Sequence, residues 1–216
     1  MVYIIFILGL VFPLMAFSAA QINEVAWMGT VVEGVDPGQW WRYEWIELRN
    51  PDTVPVNLSG WVFEVWGEEL EYQSQLSGSI PPEGYYLIAS SDRIPGYDLN
   101  YANLGGKLRN GGSLLRLKDA LGNTVEELDA RGGWPAGDNE GKLAMARGED
   151  GSWGTSYDVG GTPGAENKVL ESVLQETKKR PESASLDFSS FSLALPLALA
   201  SAFGVLALRR RFALEV

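Results

Sequence analysis

The sequence predicts an all-β sandwich framed by two apolar helical segments. Three observations carry this reading. Residues 1–20 and 188–208 contain no charged side chain. All eight Trp and 23 of the 25 Gly fall between residues 21 and 167. Within that stretch the apolar side chains come in alternating runs of 4–8 residues, separated by turn residues and without a helical period.

Residues 1–20, MVYIIFILGLVFPLMAFSAA, run apolar up to Pro13 and close on Ser18-Ala19-Ala20, a small-x-small site ahead of Gln21. This is the pattern of a secretory signal peptide. No Lys or Arg precedes the apolar run, so an uncleaved N-terminal anchor is the alternative.

Residues 21–167 carry the strand signals. Ile22, Val25 and Trp27 open the series, followed by Trp45-Ile46-Glu47-Leu48 and Trp61-Val62-Phe63-Glu64-Val65-Trp66. Tyr85-Tyr86-Leu87-Ile88-Ala89, Leu114-Leu115-Arg116-Leu117 and Val125-Glu126-Glu127-Leu128 continue it. The turns between them are Asn50-Pro51-Asp52, Ser59-Gly60, Pro81-Pro82-Glu83-Gly84, Asn110-Gly111-Gly112, Gly122-Asn123 and Gly132-Gly133. The clearest hairpin turns at Asp119-Ala120-Leu121-Gly122-Asn123. Its first arm puts Leu115 and Leu117 on one face and Arg116 and Lys118 on the other. Glu126 on the return arm is expected to pair with one of those cations.

Residues 168–187, KVLESVLQETKKRPESASLD, read as a charged stalk. Residues 188–208 then supply 21 uncharged positions, about 31 Å of helix against a hydrocarbon core of about 30 Å, and are expected to be a single transmembrane helix. Arg209-Arg210-Arg211 follow directly. The positive-inside bias puts the basic tail, 209–216, in the cytoplasm and residues 21–187 outside it. A hydrophobic tail with an arginine cluster also resembles the processed sorting signals of bacterial surface proteins. Only Pro181-Glu182 stands at the place of a recognition motif, so a permanent anchor is expected.

The composition excludes several chemistries. The chain has no Cys and no His. Disulfide scaffolds, thiolate nucleophiles, Cys- or His-ligated zinc and Ser-His-Asp triads are therefore ruled out. The stretch 21–187 carries 14 basic and 27 acidic side chains, a net of −13, which argues against a nucleic-acid partner.

Six ordered blocks resemble the lamin-tail domain family. They are Gln21-Ile22-Asn23-Glu24-Val25-Ala26-Trp27-Met28-Gly29, Glu44-Trp45-Ile46-Glu47-Leu48-Arg49-Asn50-Pro51, Val56-Asn57-Leu58-Ser59-Gly60-Trp61, Ile80-Pro81-Pro82-Glu83-Gly84-Tyr85-Tyr86-Leu87-Ile88, Asn110-Gly111-Gly112-Ser113-Leu114-Leu115-Arg116-Leu117 and Gly161-Thr162-Pro163-Gly164-Ala165-Glu166-Asn167. The resemblance implies an immunoglobulin-like β-sandwich over residues 21–167 and a binding or scaffolding role without catalysis. Residues 28–43, 91–104 and 131–158 exceed the family pattern and are expected to be long loops.

The expected function is a membrane-anchored extracytoplasmic module of a bacterial cell surface that binds a protein or a surface glycan. No catalytic residue, cofactor or metal is assigned. Trp27, Trp45 and Trp61 are expected in or against the core. Trp40, Trp41, Tyr97 and Tyr101, in the added loops, are the candidate partner-binding residues. Asn57-Leu58-Ser59 matches a glycosylation sequon but sits in a turn block and is read as a turn element. The alternative function is a carboxylate-dependent surface hydrolase. It needs two carboxyl groups about 5–10 Å apart in one cleft. Glu44 and Glu47 are a poor pair for this, being three residues apart along a strand. Asp36, Asp138, Asp150 and Asp158 are expected in glycine-rich loops, are read as a solvated acidic surface and lack calcium-loop spacing.

Overall fold

A computed structural model of the chain describes residues 20–100 and 104–170. The leader up to residue 19, the stalk beyond residue 170, the segment 188–208, the tail 209–216 and Tyr101 lie outside the described residues. Among the described residues no helix is long and apolar enough to cross a membrane.

In chain order the strands are β1 (Gln21–Ala26), β2 (Trp45–Arg49), β3 (Val56–Asn57), β4 (Val62–Trp66), β5 (Leu70–Gln75), β6 (Ser79–Ile80), β7 (Tyr85–Ala89), β8 (Leu99–Asn100), β9 (Leu114–Lys118), β10 (Thr124–Asp129), β11 (Leu143–Arg147) and β12 (Trp153–Val159). One 3₁₀ helix, Pro37–Arg42, stands between β1 and β2. The fold is all-β. A six-stranded sheet, β12-β11-β1-β2-β7-β8, and a four-stranded sheet, β10-β9-β4-β5, share one core, and β3 and β6 form a small third ladder. All strand pairs are antiparallel except β7 with β8.

Period-2 alternation decides which side chains meet between the sheets. Ile46 and Leu48 of β2 and Ile88 of β7 are buried with Phe63 and Val65 of β4 and Leu115 and Leu117 of β9. Each such side chain contributes about 1.5–3 kcal/mol of burial. Trp45 is fully buried and Trp27 nearly so, while Trp61 packs half-buried against the same core.

The central strands β1 and β2 are buried on both faces. The second face, bearing Trp45 and Glu47, lies beneath the segment at 161–167. Gly161 marks how closely that segment approaches. It has φ +82°, and a Cβ there would stand 2.5 Å from Glu24 Oε1 and 2.9 Å from both Ala144 Cβ and Trp45 Cζ2. Lys168 and Val169, read from the sequence as the start of the stalk, continue the domain: Tyr157 N–H donates to the Lys168 carbonyl at 2.7 Å, and Val169 bridges Ser156.

Two expectations are corrected. Residues 131–158 are not one long loop, because they contain β11 and most of β12, which complete the larger sheet beside β1. Glu126 does not pair with Arg116 or Lys118. A bulge between Thr124 and Glu126 sets Glu126 opposite Leu117 and Glu127 opposite Arg116. Glu127 therefore takes Arg116 at 2.7 Å, Glu64 takes Lys118 at 2.7 Å, and Glu126 turns to Arg147 at 2.5 Å.

Candidate functional site

Residues 30–33 of the first added segment and 93–95 of the second, which also carries β8 and so is not all loop, meet at one end of the sandwich. The 3₁₀ helix starts on Asp36, whose Oδ1 accepts Gly38 N–H at 2.7 Å, with Pro37 in its first turn. This short helix presents Trp40 and Trp41. Trp40 is half-buried, whereas Trp41 is 46% exposed, its ring lying against Gly106 with the Arg42 guanidinium 5.1 Å from its centre. Trp41, Arg42, Tyr43, Ser90, Ser91 and Gly105 line a groove of about 350 Å³. That is at the small end for ligand pockets and large enough for one sugar ring or one side chain. A second groove, lined by residues 30–33 and 93–95, lies beyond Arg93. Arg93 separates the two, donating to the Glu33 carbonyl at 2.6 Å while its guanidinium lies 5.9 Å from the Tyr43 ring.

A buried carboxyl group buttresses this end. Glu44, just ahead of β2, accepts the Lys107 and Leu108 backbone N–H groups, each at 3.1 Å. Burial pushes its pKa up to about 8, against the lowering effect of those bonds. The neighbouring Ser90 hydroxyl donates to the Arg42 carbonyl at 2.7 Å, and Ser90 N–H donates to the Glu44 carbonyl at 3.0 Å. The groove floor is thus tied to the start of β2 by hydrogen bonds from both flanking loops.

Of the four candidate residues, Trp41 lines the groove. Trp40 is half-buried and lines neither groove. Tyr97 is 41% exposed but lines neither groove, and Tyr101 lies outside the described residues.

The loop carboxylates have structural work. Asp36, Asp119, Asp138 and Asp150 each accept the N–H two residues ahead, at 2.7, 2.9, 3.0 and 2.9 Å. These are Asx turns, which explains the acidic residues beside glycine. Asn57 does the same to Ser59 at 2.9 Å, matching its reading as a turn element. Asp158 lies within β12 rather than in a loop.

Sequence reasoning missed the second cluster. Glu24 and Glu47 are cross-strand neighbours, both fully buried. Glu24 accepts Thr162 N–H at 3.1 and 3.0 Å, one bond to each oxygen. Glu47 accepts Asn23 Nδ2 at 2.7 Å and Gly164 N–H at 2.5 Å. Burial raises the pKa of Glu24 to about 8 and that of Glu47 to about 7. Glu44 and Glu47, expected not to act together, sit in these separate networks. The one available signal was an acidic residue inside each apolar strand together with the separate block at 161–167.

The Lamin Tail Domain family model matches residues 15–132, which takes in β1 through β10. No curated protein matches the sequence. The matched span covers more than half of the chain and holds five of the six sequence blocks, the sixth being the segment that closes over Glu24 and Glu47. The chain belongs to the lamin tail domain family.

Proposed function

We propose that the chain is a membrane-anchored interaction module of a bacterial envelope. Residues 1–20 direct export, the β domain lies outside the cytoplasm on the stalk 168–187, and residues 188–208 hold it in the membrane. It binds a protein or a surface glycan and catalyses no reaction. The observation that carries the binding reading is the Trp41 groove. An exposed indole face, a guanidinium and two serine hydroxyls surround it, on loops fixed by Glu44. An aromatic ring beside a guanidinium donor and hydroxyl oxygens that can accept suits a sugar ring or a polar side chain.

The described carboxyl groups favour binding over hydrolysis. The two that adjoin each other, Glu24 and Glu47, are buried with their oxygens occupied by backbone and amide donors. The loop aspartates cap turns.

The test is capture of envelope proteins and glycans by the full-length chain, beside Trp41→Ala and Tyr157→Ala. Tyr157 is exposed and lines neither groove. Loss of a specific partner with Trp41→Ala alone supports the site, and equal capture by all three chains removes it. Protease added to intact cells should degrade the domain, and protection would overturn the orientation.

A further inference from the structure

The cations of the domain fall into two kinds. Arg109, Arg116, Lys118, Arg131 and Arg147 each form an ion pair with an acidic side chain. Arg42 and Arg93 form none among the described residues, although residues 21–187 carry a net charge of −13. Both are exposed, and each lies against an aromatic ring instead. The Arg42 guanidinium stands 5.1 Å from the centre of Trp41, and that of Arg93 stands 5.9 Å from the centre of Tyr43. Trp41, Arg42 and Tyr43 line one groove, and Arg93 stands at its border. The neighbouring acids do not neutralise them. Glu33 meets Arg93 through its backbone carbonyl, at 2.6 Å, and Asp92 Oδ1 lies 3.5 Å from Ser91 Oγ.

The hydroxyl groups add acceptors to these donors. Ser90 commits its proton to the Arg42 carbonyl at 2.7 Å, so its oxygen is left to accept. Ser91 Oγ accepts Arg93 N–H at 3.2 Å and keeps a second lone pair. The wall of the groove is fixed by close backbone approach. A Cβ on Gly105 would stand 2.9 Å from the Arg42 carbonyl oxygen, and one on Gly106 would stand 2.9 Å from Trp41 Cζ3. Arg42 and Trp41 are thus held in place before any ligand arrives, which lowers the cost of binding.

We propose that this groove takes one acidic sugar ring, a uronic acid unit of a surface glycan. Its carboxylate pairs with Arg42, its hydroxyl groups donate to the serine oxygens, and its C–H edge packs on Trp41. The proposal rests on the reading of the Trp41 groove as a binding site and names the ligand class. A volume of about 350 Å³ suits one ring. A guanidinium fork pairs with a carboxylate through two charge-assisted bonds, which a neutral sugar does not offer. An acidic protein side chain satisfies Arg42 but brings no hydroxyl for the serine oxygens and no ring for Trp41. The acidic surface elsewhere on the domain repels a polyanion that would lie along it, so contact is confined to this end.

The test is equilibrium binding of the full-length chain, in nonionic detergent, to three probes: a galacturonate oligomer, the same oligomer with its carboxyl groups methyl-esterified, and polyglutamate. The free acid should bind at least about tenfold more tightly than the ester, and added salt should weaken it. Arg42→Gln should remove that advantage. Arg131→Gln deletes the same charge at a residue that lines neither groove and should bind as the wild type does. Equal binding of acid and ester overturns the proposal, yet leaves the groove as a binding site if Trp41→Ala abolishes both. Polyglutamate binding as tight as that of the galacturonate oligomer overturns it in favour of an acidic protein. Binding of none of the three probes also overturns it. The groove reading itself fails if Trp41→Ala leaves binding of every probe and envelope partner unchanged. The comparison of acid with ester uses the wild-type chain alone, so it decides even where a variant does not fold.

Discussion

Arg147 and Glu126 bracket the backbone of Ile22 from opposite sheets. Arg147 Nε donates to the Ile22 carbonyl at 3.0 Å, Ile22 N–H donates to Glu126 Oε2 at 2.7 Å, and the two side chains meet at 2.5 Å. The ladder between β1 and β11 registers only at Glu24 and Val25, so these side chains satisfy the Ile22 groups that it leaves.

Removing one partner should therefore cost more than an ordinary surface pair. Glu126→Ala leaves an unpaired guanidinium and an unsatisfied amide, a loss of about 3 kcal/mol. Arg116→Ala, at a more exposed pair with Glu127, should cost about 1 kcal/mol or less. Urea unfolding followed by tryptophan fluorescence compares the two. Equal losses would remove the special role of the pair around Ile22.

Stability should fall, not rise, between pH 5 and pH 8. Glu24, Glu44 and Glu47 are held up to about 8, about 8 and about 7 by burial. The folded chain thus keeps protons that the unfolded chain releases near 4.5, and each raised group favours folding less as pH rises through that window. Asp129, lowered to about 2 by its bonds to Arg131, titrates outside the window. The unfolding temperature should drop by at least about 5 °C from pH 5 to pH 8, and Glu44→Gln should reduce that drop. An unfolding temperature that climbs over this range would mean the three carboxyls are ionised in the fold.

Adjacent glycines should respond in opposite ways. Gly112 has φ +104°, and a Cβ there would stand 1.7 Å from the Ala130 carbonyl oxygen, whereas Gly111 has open space. Gly112→Ala should cost about 3 kcal/mol or more and displace the turn into β9, while Gly111→Ala should stay within about 0.5 kcal/mol. Melting curves of the two variants test this, and a harmless Gly112→Ala would contradict the described turn.

The tryptophans should divide between folding and binding. Trp45→Ala empties a fully buried site and loses the indole bond to Thr30 Oγ1 at 2.8 Å, a cost of about 3–5 kcal/mol. Trp41→Ala should change stability by about 1 kcal/mol or less, because nearly half of the residue already meets solvent. Thermal unfolding separates them. A large loss from Trp41→Ala would make it a packing residue.

What was legible in the sequence was local. Leu115 and Leu117 fix the inner face of β9, and Asp119 closes the hairpin on Asn123, because alternation and turn chemistry act within a few residues. The strands β5 and β11 were not legible. Glu71-Tyr72-Gln73-Ser74-Gln75 is polar because β5 is an edge strand, and Leu143-Ala144-Met145-Ala146-Arg147 lacks β-branched side chains. Their strand state comes from their partners, with β11 docking on β1 from far along the chain. The same distance hid the buried glutamates. An acidic residue in a strand reads as solvent-facing unless its cover is visible, and the cover of Glu24 comes from Thr162, 138 residues away. A loop tryptophan near glycine signals exposure, and that signal holds for Trp41 but not for its half-buried neighbour Trp40. Glu44 was read only as a poor catalytic partner, since nothing near it in sequence announces the amides of Lys107 and Leu108.

The place of β11 beside β1 also sets an order of assembly. A chain synthesised as far as residue 132 has the whole family-matched span, yet β1 then has a neighbour on its β2 side only. Its other edge stays open until Met145 and Ala146 arrive, and Glu24 stays uncovered until Thr162 follows. Long-range closure of this kind is slow and leaves an unpaired edge exposed while it waits. The first strand to emerge is therefore among the last to be completed, and a chain cut between Gly133 and Leu143 would retain every matched residue while presenting β1 as a sticky margin.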